Sequence, residues 1–466
     1  MDLDALDLSL LKATVTRALA RGGDFAEVFV EDRDGLTLRL EDRRLEQVNG
    51  GREQGAGVRL LSGEHTYYAF TDEVDETALA AAADAVAAAL RAAAERVTAV
   101  DLSPVRRDAA SHPVLLPPDQ VDVARKAALV RAADDEARAA GAEVTQVIAG
   151  YGDSRQDVLI VNSLGEVVRE TRTRTRLSVQ VVARRDDVIQ TGHETAGASR
   201  GFELLDDATV LDVARDAAGR ALAMLAARPA PAGTMPVVVA NGFGGVLFHE
   251  ACGHGLEADA VAKGASIYSG KVGDLVAAPI VSAYDDGRLP NGWGSQAFDD
   301  EGVPTQKTQL IREGRLTGYI YDRLRARQLG AAPTGNGRRQ SFRHVPAPRM
   351  TTTFIAPGDA TVDEIVAATP RGFYAKSFAG GQVEPASGDF VFGVAEGYLI
   401  ESGKITAPLR GATLVGSGIE VLNKIDMIAG DFDVKSGVCG KDGQGVPVGT
   451  GQASLRISAM TVGGTG

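Results

Sequence analysis

The stretch VLFHEACGHGLEAD places His249, Glu250, Cys252, His254, Glu257 and Asp259 within eleven residues, directly after an apolar turn. Imidazoles and thiolates bind metal ions, and a carboxylate beside them can move a proton, so the chemistry within reach is metal-assisted hydrolysis. In the peptidase motif H-E-x-x-H, residues four apart differ by about 40° around an α-helix, and both imidazoles meet one metal. Here the histidines are five apart, about 140° on a regular helix. Either the likeness is accidental or the helix is locally widened, because a π-type turn closed by an i to i+5 bond brings both side chains onto one face. Gly253 is the position where such a distortion is easiest to accommodate. Taken singly, each residue has an ordinary reading: a hydrogen-bonded histidine, a small buried cysteine, a solvated Glu250. Spacing alone leaves both readings open.

A catalytic zinc takes three protein ligands and keeps a position for water, so a third ligand is required. By chemistry the candidates are Glu257, His344 in SFRHVPAPR, and Cys439 in GVCGKDGQGVPVG. The glycine-rich loop around Cys439 can bring a thiolate to a metal without helical constraint. Glu257 or Asp259 could equally orient a ligand imidazole through its other nitrogen, or simply be solvated. Upstream, Pro236 to Ala240 reads as a buried strand followed by a glycine turn. Gly242 and Gly244 match the first two glycines of a dinucleotide loop. Leu247 stands where the third must be, so the glycines are read as a sharp turn into the histidine helix.

The elements that must position these residues read as an α+β chain. Leu6, Leu10, Val15 and Leu19 have helical spacing over residues 4–20. The strands AEVFVED, GLTLRLED, GAGVRLLSG and HTYYAF follow, with Asp34-Gly35 as a hairpin turn between the first two. A helix from Asp75 to Val97 closes this unit. Beyond a linker with Pro104, Pro113, Pro117 and Pro118, the order recurs: helix Val121 to Ala140, strands Glu143 to Thr191, helix Asp206 to Ala227. The helix, antiparallel meander, helix order occurring twice hints at duplication. In the second meander Arg172, Arg174 and Arg176 share one strand face. It reads as a solvated face rather than a nucleic-acid stripe, since no aromatic residues are interleaved. ARPAPAGTMP reads as a linker, after which glycine becomes dense and strand patterns dominate. The expected division is 1–112 and 113–228 for two α+β regions, and 229–466 for a strand-dominated C-terminal domain carrying the metal-binding helix.

Composition bounds the alternatives. The chain has 466 residues with a formal net charge of -13, which disfavours direct nucleic-acid binding because that affinity comes largely from lysine and arginine. The acidic, amphipathic N-terminus does not read as a signal peptide. The alanine-rich run is interrupted by Asp84 and Arg91, short of a membrane span. A cytoplasmic location is the expectation, with Cys252 and Cys439 reduced and available to a metal.

Six segments carry a family resemblance: HEACGHGLEAD, FDDEGVP, LIREGRLTGYIYDR, GNGRRQSFRHVPAPRMTTTF, SGDFVFGVAEGYLIESGKI and SGVCGKDGQGVPVGTGQ. Together they resemble the TldD/PmbA family and, within it, the TldD-type zinc metallopeptidase subunits, where the H-E-x-x-x-H spacing is the norm. The resemblance implies that His249, His254 and Cys439 bind one Zn2+ and that Glu250 is the catalytic base. It implies hydrolysis of unfolded or modified peptides. PmbA-type paralogues usually lack the histidines and glutamate, so the expectation is the catalytic member of a heterodimer with such a paralogue, or a self-sufficient homodimer. The alternative is a non-catalytic scaffold that stabilises a PmbA-type partner.

Overall fold

The computed structural model describes residues 1–90, 105–110 and 112–464. The N-terminal half comprises α1 (Leu8–Ala18), β1 (Phe25–Glu41), β2 (Arg44–Ser62), β3 (His65–Thr71), α2 (Glu76–Ala89) and β4 (Val105–Ala110). It continues with α3 (Val123–Ala139), β5 (Val144–Asn162), β6 (Glu166–Arg185), β7 (Val188–Ala198) and α4 (Asp207–Leu225). The Asp75 side chain accepts the Ala78 N–H and starts α2, as its position before the alanine run predicts. The last part of that expected helix, from residue 91, lies outside the described residues.

All seven strands form one sheet, in the order β3-β2-β1-β5-β6-β4 with β7 also on β6. The two meanders are therefore joined through the antiparallel pair β1–β5. Asp34-Gly35 does not turn. β1 runs straight through it with partners on both sides, and a Cβ at Gly35 would lie 2.8 Å from the Asp153 carbonyl, so the glycine serves close strand approach. The turn instead falls at Asp42 and Arg43, both with positive φ (46° and 67°), as a two-residue hairpin requires.

Strand alternation assigns the two faces of this sheet. Ala26, Val28 and Val30 pack beneath α1 and α2, while Leu38 and Leu40 pack beneath α3 and α4. The opposite face carries Phe29, Val158, Ile160 and Val168, which meet Phe298 and Phe342 of the C-terminal half. Arg172 and Arg174 lie on that covered face, only 4% and 6% exposed, so the expected solvated arginine face is wrong. The acidic segment FDDEGVP covers it: Arg172 Nη1 donates to Asp300 Oδ1 at 2.6 Å and its Nη2 to the Phe298 carbonyl.

The proposed linker ARPAPAGTMP is largely taken up by two strands, β8 (Arg228–Pro229) and β9 (Gly233–Val239). β9 lies between strands Arg371–Glu384 and Leu455–Gly463 in an eight-stranded sheet. Because Arg371–Glu384 pairs with both β9 and Asp389–Glu401, that sheet closes on itself. A six-stranded sheet includes Thr352–Ile355 next to Gln444–Gln452, with Asp433–Lys441 as its outermost strand. Among the described residues, no helix is long and apolar enough to cross a membrane.

Candidate metal centre

The chain leaves β9 and turns at Gly242, whose φ of 62° favours glycine. A Cβ at Gly245 would sit 2.7 Å from the Gly451 carbonyl, so this glycine lets the turn press against strand Gln444–Gln452. One helical turn, Val246–Phe248, leads into a π turn over His249–Gly253. The His254 N–H donates to the carbonyl of His249, five residues back. This widened turn puts both imidazoles on one side, ring centroids 5.2 Å apart and nearly perpendicular. Gly253 sits inside it with an ordinary helical φ of -53°. Its reason is packing rather than conformational freedom: a Cβ there would lie 2.1 Å from Sδ of the fully buried Met350. Leu247, Phe248, Ala251 and Cys252 anchor the other side of the segment in the main core.

Cys439 arrives on Asp433–Lys441, held in register opposite Val446. Ligand-capable atoms of His249, His254 and Cys439 all lie within 4.8 Å of one another. His254 Nε2 is 3.4 Å from Cys439 Sγ. Metal bonds of about 2.0–2.3 Å in a tetrahedral site require ligand pairs about 3.3–3.8 Å apart, so this donor set fits zinc in type, and the His254–Cys439 pair fits it in spacing. Each imidazole is oriented through its other nitrogen, His254 Nδ1 by Glu257 Oε2 at 2.9 Å and His249 Nδ1 by Thr353 Oγ1 at 3.3 Å. Lys441 Nζ donates to Glu257 at 3.0 Å and to Asp259 at 2.7 Å. Arg349 Nη2 donates to the Cys439 carbonyl at 2.5 Å.

The electrostatics follow from these contacts. Burial pushes the Cys439 thiol up, but hydrogen bonds from His249 and His254 outweigh it and hold the thiol down at about 5, favouring the thiolate. Burial likewise opposes the charged form of His254, yet Glu257 and Cys439 raise it to about 11. Glu257 is wholly buried, which alone would raise it, and the charges of His254 and Lys441 bring it down to about 2. Cys252 has the opposite environment. It is fully buried and pushed up to about 12, with the Tyr268 hydroxyl donating to its Sγ at 3.0 Å.

Of the three candidates for a third ligand, Cys439 is brought to the histidines. Glu257 braces His254 from behind, and His344 instead pairs with Ser341 at 3.0 Å. Thr353, Arg349 and Lys441 escaped the sequence reading. The run of threonines after Met350 and the lysine two residues beyond Cys439 were the available signals. Glu250 faces a cleft of about 740 Å3 with His249, His254 and Cys439, its Oε2 3.8 Å from His254 Nε2. The same cleft is bordered by Gly380 to Val383 and by the outermost strand carrying Cys439. A basic carboxylate beside three convergent donors, open to a cleft, can activate water against a bound carbonyl.

Family models described as PmbA/TldA metallopeptidase domain 1, central domain and C-terminal domain match residues 26–93, 116–225 and 232–464. A protein of Haemophilus influenzae named metalloprotease TldD homolog is 40% identical, over 96% of this chain and 94% of that protein. A Saccharolobus solfataricus protein named zinc metalloprotease TldD homolog is 34% identical, over 62% of this chain and 64% of its own. The solved structure of TldE from Thermococcus kodakarensis shares the fold, with a TM-score of 0.75 at 18% identity, over 97% of this chain and 99% of that one. With its three consecutive domains matched and its length shared with such relatives, the chain belongs to the PmbA/TldD metallopeptidase family.

Proposed function

We propose that this chain is a zinc-dependent peptidase in which His249, His254 and Cys439 hold one Zn2+ and Glu250 is the general base. A zinc ion held there supplies Lewis acidity toward water and the scissile carbonyl. Glu250 takes a proton from the attacking water and returns it to the leaving amine. Glu257 fixes the ring of His254 with Nε2 toward the site, and Lys441 keeps Glu257 charged. A Cys439 thiolate holding zinc would donate more charge than a third imidazole and would make for a milder Lewis acid, suited to a processing enzyme. The observation that carries the reading is the π turn, which turns a five-residue spacing into one convergent donor set.

The substrates in this reading are unfolded or modified peptides. Asp433–Lys441 is the end strand of its sheet and borders the cleft, so an extended peptide can be held there by main-chain strand addition. The active assembly is a homodimer or a heterodimer with a PmbA-type paralogue. The test is Glu250→Gln in the purified chain, alone and with such a paralogue. About one zinc per chain is retained while hydrolysis of an unfolded peptide falls about 10²–10⁴-fold. Unchanged hydrolysis sinks the assignment of Glu250, and equally fast cleavage of compact native proteins sinks the substrate class.

A further inference from the structure

The arginines of β6 line a second cavity, of about 620 Å3, between the N-terminal sheet and the C-terminal half. Buried guanidiniums in this protein meet carboxylates at Arg59 and, on the wall of this cavity, at Arg172 and Arg339. Two others that line it do not. Arg174 and Arg338, 6% and 2% exposed, form no ion pair among the described residues. Arg174 Nε donates to the Trp293 carbonyl, and Arg338 to the carbonyls of Met350 and Pro447. Burial, reinforced by neighbouring arginines, holds both guanidiniums below their usual range, Arg174 at about 9 and Arg338 at about 10. The two lining carboxylates are already committed, Asp153 to Lys126 and Tyr151, Asp300 to Arg172 and the Arg339 N–H.

A second observation is independent of charge. Arg176 Nε, Trp293 Nε1, Gln296 Nε2 and Arg338 Nε are buried without a hydrogen-bond partner, and all four residues line this one cavity. Buried orphan donors are rare and costly, and every one of these is a donor. The complementary ligand is an anion with several acceptor oxygens. Its source follows from the neighbouring walls. Val438, one residue before Cys439, lines both this cavity and the metal cleft. A smaller cavity of about 400 Å3 shares Arg176 and His193 with the first and Phe243, Val246 and Gly380 with the second. An extended chain lying across the metal cleft can therefore continue to the arginines.

We propose, resting on the peptidase reading, that the cavity formed by Arg174, Arg176, Arg338, Trp293 and Gln296 binds a carboxylate of the peptide being cut. The carboxylate is an acidic side chain or the peptide's C-terminus, and it selects and positions substrates on one side of the scissile bond. Trp293 is the chain's only tryptophan, so its emission reports this cavity alone.

The test titrates the full-length Glu250→Gln chain with three peptides of one unfolded sequence. The first has a free C-terminus and one Glu, the second the same Glu with a C-terminal amide, and the third Gln with a C-terminal amide. A saturable change in Trp293 emission is expected with the carboxylate-bearing peptides, at least tenfold weaker with the third. Weakening between the first and second identifies the C-terminus as the source, and weakening between the second and third the side chain. Arg174→Gln removes the discrimination; Arg176→Gln, at a partly buried position, does the same if the first variant fails to fold. Equal binding of all three peptides overturns the proposal, as does inorganic phosphate saturating the signal while no peptide does. Cleavage of the same peptides by the unsubstituted chain is scored separately. Cleavage absent both from the chain alone and from the chain with a PmbA-type paralogue sinks the peptidase reading, whereas cleavage with no emission preference sinks the cavity's role alone.

Discussion

Two clusters of buried charge lie about the C-terminal half, and they are built to opposite ends. The seam against the N-terminal sheet pairs Arg59 with Glu27 and Glu301, Arg172 with Glu170 and Asp300, and Arg339 with Glu27. In the candidate metal centre His254, Glu257, Lys441 and Cys439 are comparably enclosed and comparably perturbed. Burial and shifted protonation mark both, so neither identifies chemistry by itself. In these pairs of the seam the charges neutralise one another and hold two halves of the chain together. In the metal centre the outer groups, Glu257 and Thr353, turn the inner ones toward a shared point beside a cleft. Convergence on an accessible space, rather than burial, separates a site from a joint.

Substitutions at the two cysteines and at the two kinds of buried charge separate the two regions. Cys439→Ala should reduce bound zinc from about one per chain to background and abolish peptide hydrolysis, measured by metal analysis and a peptide assay. Arg59→Met should leave zinc in the folded protein unchanged but cost about 3–5 kcal/mol in denaturant unfolding, because Glu301 loses its buried partner. Glu257→Gln tests the bracing of His254, and a zinc affinity lowered about 10–100-fold in chelator competition is expected. Cys252→Ala should have the smallest effect, about 1 kcal/mol of stability with zinc and activity retained, since Cys252 only fills the core beside Tyr268. Loss of zinc in Arg59→Met or Cys252→Ala would erase the distinction between the regions.

Much of this was legible in the residues. The amphipathic patterns gave the four N-terminal helices and their meanders, since burial on one face writes a period into the sequence. The widened turn was one of the two readings that the histidine spacing left open, and the π turn over His249–Gly253 decides for it, because that local distortion reconciles five residues with one face. Three features were not. Asp34-Gly35 reads as a turn, but its glycine answers to β5, 118 residues away at Asp153. The arginines of β6 read as solvated because what covers them, Asp300 over Arg172 and the Trp293 carbonyl over Arg174, lies more than 110 residues downstream. Gly253 was singled out for flexibility and is required by Met350 instead. In each case the deciding contact is long-range, and local pattern carries no record of it.

One turn of helix brings His249 and His254 to the same point as Cys439. X-ray absorption at the zinc edge of the metal-loaded chain tests this most directly. The expected first shell contains two imidazole nitrogens at about 2.0–2.1 Å and one sulfur at about 2.3 Å. The sulfur should vanish in Cys439→Ala and persist in Cys252→Ala. A shell with no sulfur, or with a single imidazole, would contradict it.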